Sequence, residues 1–288
     1  MKIFAVEGNS QRLDGGAMFG NCPRALWERW TDVDAINRIH LACRALLVQT
    51  DDGRNVLFEA GIGAFFDPKL RERFGIVEEA HVLLRNLARL GLRDADIDQV
   101  VLSHLHFDHA GGIVSAFSEG PLRLLFPKAI FYTGKHHFGR AQHPHIRDKG
   151  SFIPLINDLL IDSGRLKLVE GLTHPDLDFG VSFRYSEGHT PGLMLASLEL
   201  DTGPLVFVSD LIPGMPWMHL PITMGYDRYP EKLVDEKRRL LEELIQRNGK
   251  IFFTHDPEIP CASIQQDESG RFFGSPIDIE SLNLPSVY

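Results

Sequence analysis

His104-Leu105-His106-Phe107-Asp108-His109 places three imidazoles and a carboxylate within six residues, directly after the apolar run Val100-Val101-Leu102. A strand that ends in such a cluster delivers groups that are costly to bury unpaired to one point at a sheet edge. Imidazole nitrogens and a carboxylate oxygen together suit Zn²⁺ or a neighbouring first-row divalent ion. A histidine-rich surface turn would have the same local composition in a chain with 13 histidines, so the reading depends on further ligands elsewhere. Three positions supply them. His189 sits in the turn Gly188-His189-Thr190-Pro191-Gly192, Asp210 follows the apolar run of residues 205–209, and His255 ends Ile251-Phe252-Phe253-Thr254. Taken singly, Asp210 and His255 read equally as a capping aspartate and a hydrogen-bonded core histidine. Together with the hexapeptide they make five histidines and two aspartates, enough for two adjacent sites.

The elements that carry these residues are strands that stop where the ligands begin. Residues 43–50 and 55–59 flank Asp51-Asp52-Gly53, a hairpin signal. Residues 78–90 carry Val82, Leu83, Leu87 and Leu90 at helical spacing and are stopped by Gly91. Residues 92–98 form an acidic helical turn leading into the strand before the cluster, and residues 129–132 read as a buried strand. A second hairpin joins residues 196–200 and 205–208 through Asp201-Thr202-Gly203-Pro204. Residues 230–248 predict a helix that starts at Pro230, presents Leu233, Leu240, Leu241, Leu244 and Ile245 on one face, and ends before Gly249. Strands leading into helices, plus hairpins, indicate mixed sheets with helices outside, an α/β or α+β protein. With no short repeat or Pro/Ser-rich linker, residues 1–288 read as a single domain. The less regular segment 135–165 lies between the ligand blocks and reads as a lid insertion or an ordinary surface insertion. Its His136, His137, His143 and His145 are expected in solvent rather than on a metal.

Composition narrows the function. A net charge of −9 leaves no excess of Lys or Arg to neutralise phosphates, which argues against nucleic-acid binding. The first residues, Met1-Lys2-Ile3-Phe4-Ala5-Val6-Glu7, lack the long apolar stretch of an export signal, and no run reaches membrane-spanning length. Cys22, Cys43 and Cys261 form no C-x-x-C pair and fit packing roles in a reducing compartment. A cytoplasmic enzyme with no membrane partner is the expectation.

His104, His106, Asp108 and His109 match an H-x-H-x-D-H motif, and His189, Asp210 and His255 follow in order. In this set the chain resembles the metallo-β-lactamase-fold hydrolases. Asp14-Gly15-Gly16-Ala17-Met18-Phe19-Gly20 and His109-Ala110-Gly111-Gly112 are most similar to the quorum-quenching N-acyl-homoserine-lactone lactonase branch, with methyl-parathion-hydrolase-type enzymes as close relatives. The resemblance implies an α+β, four-layer αββα sandwich and two divalent ions, zinc first, with manganese, iron or cobalt as alternatives. His104, His106 and His189 would hold one ion, and Asp108, His109 and His255 the other, with Asp210 bridging. Two such ions lower the pKa of a water they share. Asp108 would then take a proton from the nucleophile and return it to the leaving alkoxide. The expected substrate is a small ester or lactone; a phosphotriester or phosphodiester is the rival, and a non-catalytic metal-binding scaffold a further one. A homodimer is the candidate assembly. Two positions depart from the pattern. Glu59-Ala60-Gly61 stands where the family has D-x-G, one methylene longer toward a metal-ligand histidine, and Pro213 stands where some lactonases have a tyrosine. Met18, Phe19, Phe107, Trp217 and Met218 read as an acyl-chain wall or as core, and His219 or Tyr226 as the replacement donor.

Overall fold

The structure, a computed structural model, describes residues 1–283. In chain order the strands are β1 (Lys2–Val6), β2 (Gln11–Asp14), β3 (Arg38–Leu41), β4 (Ala45–Gln49), β5 (Asn55–Phe58), β6 (Gln99–Val101) and β7 (Ile130–Gly134). They continue with β8 (Leu166–Val169), β9 (Val181–Ser186), β10 (Leu193–Leu198), β11 (Leu205–Phe207), β12 (Lys250–Phe252), β13 (Cys261–Gln266) and β14 (Phe272–Pro276). The chain divides into two compact units. The first comprises Met1–Gln11 and Ala42–Glu170, and the second Arg12–Leu41 and the described residues from Gly171 onward.

The first unit holds a six-stranded sheet in the order β1-β4-β5-β6-β7-β8. Strands β1, β4 and β5 pair antiparallel, whereas β5 through β8 run parallel. The first hairpin expected from sequence is the β4–β5 pair, with Leu46 opposite Phe58. Helix Val82–Arg89 packs on β1, burying Val82, Leu83 and Leu87. It starts at Val82, the first of its apolar positions, rather than at residue 78 as expected. Glu78 is taken by Ser10, whose N–H and hydroxyl both donate to its carboxylate at 2.7 and 2.8 Å, and His81 caps the helix instead. The segment 135–165 forms helices Lys135–Gln142 and Pro154–Asp162. Its Phe138, Ala141, Phe152, Ile156 and Leu160 join the first unit's core. His137 corrects the sequence expectation of solvated histidines: it is buried, while His136, His143 and His145 are exposed.

The second unit holds another six-stranded sheet, β14-β13-β12-β11-β10-β9, and a two-stranded sheet of β2 and β3. Only β11 and β12 pair parallel in the larger sheet. The second expected hairpin is the β10–β11 pair. Helix Pro230–Gln246 packs on β13 and buries Leu233, Lys237, Leu240, Leu241 and Leu244. Asn248 takes a left-handed conformation (φ 51°) just past its end. Each unit is thus a mixed sheet with helices. Ligands to α/β sheets gather at the carboxyl ends of parallel strands. Glu59 and the histidine cluster leave β5 and β6 at one such edge, and Asp210 and His255 leave β11 and β12 at another.

Candidate metal centre

In the first unit the hexapeptide folds as a loop and a short helix, Phe107–Ala110. His104 and His109 are fully buried and His106 nearly so. Their ring nitrogens are sorted by partners behind them. The Ser103 hydroxyl donates to Glu59 Oε1, so its oxygen is left to accept from His104 Nδ1 at 2.9 Å. His109 Nδ1 donates to Glu59 Oε2 at 2.8 Å. The glutamate therefore reaches His109 and Ser103 together, one with each carboxylate oxygen. Both imidazoles are left with Nε2 as the lone-pair atom. His104 Nε2 faces His106 Nδ1 at 3.1 Å, and Asp108 Oδ2 lies 3.8 Å from His109 Nε2.

The backbone under this group is held at close quarters. Glu59 adopts φ 60°, left-handed for a residue with a Cβ, while its N–H donates to Val101 O at 2.8 Å. A Cβ on Gly112 would stand 1.9 Å from Ala60 O, so only glycine lets the loop after β5 touch the turn after His109. His81 Nε2 bonds Gly112 O at 3.0 Å, and burial pushes its pKa down to about 4. His137 Nε2 accepts the Leu105 N–H at 2.8 Å, fixing the backbone between His104 and His106.

The second unit gathers the other three candidate ligands. Asp210 lies in a 3₁₀ turn after β11, preceded by Ser209 at φ 43°. Its Oδ2 is 3.1 Å from His189 Nε2 and its Oδ1 3.2 Å from His255 Nε2. Asp227, unread in the sequence, accepts from His189 Nδ1 at 2.9 Å and from Met224 N at 2.7 Å. Burial raises the Asp227 pKa, and the His189 hydrogen bond opposes that rise. The turn bearing His189 is tied to helix Pro230–Gln246: Glu236 accepts from Ser186 Oγ at 2.6 Å and from Gly188 N at 3.2 Å. Pro213 has no side-chain donor, but its carbonyl accepts the His255 N–H at 3.0 Å. Asp256 shapes the next turn by accepting from Met215 N and Ile259 N at 2.9 and 2.8 Å.

These donor sets fit divalent cations. In each unit, imidazole nitrogens and carboxylate oxygens point at one another, while the far ring nitrogens of His104, His109 and His189 are engaged behind them. Acceptor facing acceptor is repulsive unless a cation or proton lies between. Glu59, His104 and His109 bring three potential ligand atoms within 4.8 Å of one another; Glu59 serves from behind, through Nδ1 of His109.

The apolar candidates for an acyl-chain wall are core. Phe107 packs on Phe66 and Phe74, and Met18, Phe19, Trp217 and Met218 belong to the second unit's core. Phe19 and Trp217, stacked with centroids 4.6 Å apart, also edge a cavity of about 710 Å³ in that unit. Met215, Ile259 and Phe272 add apolar lining, and Glu28, Arg29, Asp32, Arg271 and Asp256, the neighbour of His255, give it a charged part. Burial, with Arg271 and Lys237 nearby, lowers the His219 pKa. Tyr226 is substantially exposed.

Residues 39–255 match the family model of the Metallo-beta-lactamase superfamily. An N-acyl homoserine lactonase from Bacillus thuringiensis is 25% identical over 232 residues, covering 79% of this chain and 80% of that protein. Another from Bacillus sp is 28% identical over 174 residues, covering 60% of this chain and 61% of its own length. A probable metal-dependent hydrolase from Staphylococcus aureus superposes with a TM-score of 0.84 at 28% identity, covering 95% of this chain and 96% of that one. AidC, a dizinc quorum-quenching lactonase, has the same fold, with a TM-score of 0.74 at 22% identity over 96% of this chain and 94% of its own. With the family match spanning most of its length, the chain belongs to the metallo-β-lactamase superfamily and is a hydrolase of that superfamily.

Proposed function

We propose that His104, His106, Asp108, His109, His189, Asp210 and His255 together hold two divalent ions, zinc by preference, and that the enzyme opens lactone rings of the N-acyl homoserine lactone type. The observation that carries this reading is the matched backing of the ligands. Glu59 and Ser103 fix His109 and His104 in one unit, and Asp227 fixes His189 in the other. Backed imidazoles of this kind are what metal sites use to set tautomer and aim. The lactonase relatives favour the lactone among the esters that such a centre suits.

Bound divalent ions would ionise water near neutral pH and polarise the ester carbonyl. The protein's own groups do the rest. Asp108 is the one ligand carboxylate that is partly exposed, at 15% of its side chain. It would take the proton from the attacking water and deliver it to the ring oxygen as the C–O bond breaks. Water adds across that bond, and the product is a hydroxy acid. The second unit's cavity is the candidate seat for an acyl chain, where each further buried methylene would contribute about 0.8 kcal/mol until the wall is met.

The test is a zinc-reconstituted preparation assayed by elemental analysis and against N-acyl homoserine lactones, γ-lactones, phosphotriesters and thioesters. Two metal ions per chain and lactone turnover that rises with acyl length are the expected results. Efficient phosphotriester cleavage with every lactone intact would replace the lactone by the rival substrate class. Failure to take up any transition metal would overturn the binuclear centre itself.

A further inference from the structure

Lys237 is the charged residue on the apolar face of helix Pro230–Gln246, flanked by Leu233, Leu240 and Leu241, and it is fully buried. Its Nζ donates to three backbone carbonyls of one loop: Trp217 at 2.8 Å, Ile222 at 2.8 Å and His219 at 3.2 Å. Three acceptors need three N–H donors, which the ammonium has and the neutral amine lacks. Burial pushes the Lys237 pKa down to about 7, with Asp227 pulling the other way.

The loop so gripped lines the cavity through Met215, Trp217 and His219. It also seats the Asp14-capped helix Gly15–Phe19. Trp217 Nε1 donates to Met18 O at 2.9 Å, and Gly225 N donates to Ala17 O at 2.8 Å. Gly20 sits at φ 57°, where a Cβ would come within 2.6 Å of Thr223 O. Loop, short helix and aromatic stack therefore form one framework whose fixed point inside the protein is the Lys237 ammonium.

We infer that Lys237 is a positioning residue for substrate selection: by fastening residues 217–222 it holds the cavity wall against which the acyl chain rests. The acyl-chain role rests on the lactonase reading above, but the fastening does not. The experiment compares zinc-loaded wild type, Lys237→Met and Lys237→Arg by hydrogen exchange of residues 217–225 and by KM across a series from γ-butyrolactone to long-chain acyl homoserine lactones. In Lys237→Met the loop amides lose protection. KM for long-chain substrates rises about tenfold, the result of a wall-competent loop populated about one tenth of the time. KM for γ-butyrolactone, kcat and zinc content stay near wild type, and Lys237→Arg, which keeps the charge and several donors, restores part of the loss. A purely structural lysine would lower the melting temperature and leave the chain-length profile unchanged; that outcome, or unchanged exchange, overturns the inference. Should Lys237→Met not fold, Lys237→Arg and Lys237→Gln are read by the same two criteria. Should the wild type open no lactone, the lactonase reading fails, and loop exchange alone decides whether Lys237 fastens the wall.

Discussion

Asp227→Asn is the perturbation that most directly probes how the second unit aims a ligand. The carboxylate is 1% exposed and accepts two N–H groups, His189 Nδ1 at 2.9 Å and Met224 N at 2.7 Å. An asparagine has one acceptor oxygen and an NH₂ group, so it can serve one of the two and must set a donor against the other. If its oxygen stays with Met224, the amide faces Nδ1, and the imidazole relieves the clash by moving its proton to Nε2. That is the atom 3.1 Å from Asp210, and a protonated Nε2 cannot bind a cation. If the oxygen stays with His189, Met224 loses its partner in a place that water does not reach. Returning the proton to Nδ1 so that Nε2 can bind zinc in the first arrangement, or leaving Met224 N unpaired in the second, costs about 1–3 kcal/mol, as for one buried unsatisfied group. In the first, this appears as roughly ten- to hundredfold weaker zinc binding, the range seen when such a partner is lost. Competition with a chromophoric chelator at neutral pH measures it, with melting curves to confirm folding. Glu243→Gln, which alters only the partly exposed ion pairs to Arg184 and Arg247, serves as the control. A folded Asp227→Asn protein with wild-type zinc affinity would refute the claim that Asp227 sets the His189 tautomer.

Two further outcomes follow from the first unit. Asp108→Asn should keep its fold and, assayed at saturating zinc with both ions bound, turn over about a hundredfold more slowly, because the proton acceptor is gone; turnover near wild type with both ions bound would remove Asp108 from the proton path. His81 should make the protein acid-sensitive: its pKa falls from 6.5 to about 4 on folding, so only the unfolded chain takes up this proton as pH drops through that window. Stability is therefore lost between pH 6.5 and 4, by about 2–3 kcal/mol for this group. Urea midpoints at pH 7 and pH 4.5 should differ less in His81→Asn than in wild type, and equal differences would contradict the assignment.

The candidate ligands stand out in the sequence because pattern and geometry coincide at strand ends. An apolar run that stops abruptly at His104, Asp210 or His255 announces both the strand and the residue that leaves its edge, and those residues do emerge at the carboxyl ends of β6, β11 and β12. Of the groups behind them, Glu59 is marked by its place in the family pattern, whereas Asp227 is not legible, since hydrogen-bond partners carry no periodicity. Asp227 sits in Gly225-Tyr226-Asp227-Arg228, whose composition is that of any surface turn, and its histidine is 38 residues away. His137 was misread for the same reason: a histidine in a polar-looking segment is buried only because helix Lys135–Gln142 packs on β7 and β8. The strands β13 and β14 escaped notice because Gln265, Gln266 and Gly274 break the apolar pattern. Lys237 did leave a trace. It falls four residues after Leu233 and three and four before Leu240 and Leu241, inside the stripe that must be buried if the helix is to pack. A lysine there is either an error of packing or a cation with buried acceptors to serve. The three carbonyls at Trp217, His219 and Ile222 decide between them, and a sequence can pose that choice without resolving it because the acceptors are backbone atoms of a loop whose path only the fold determines.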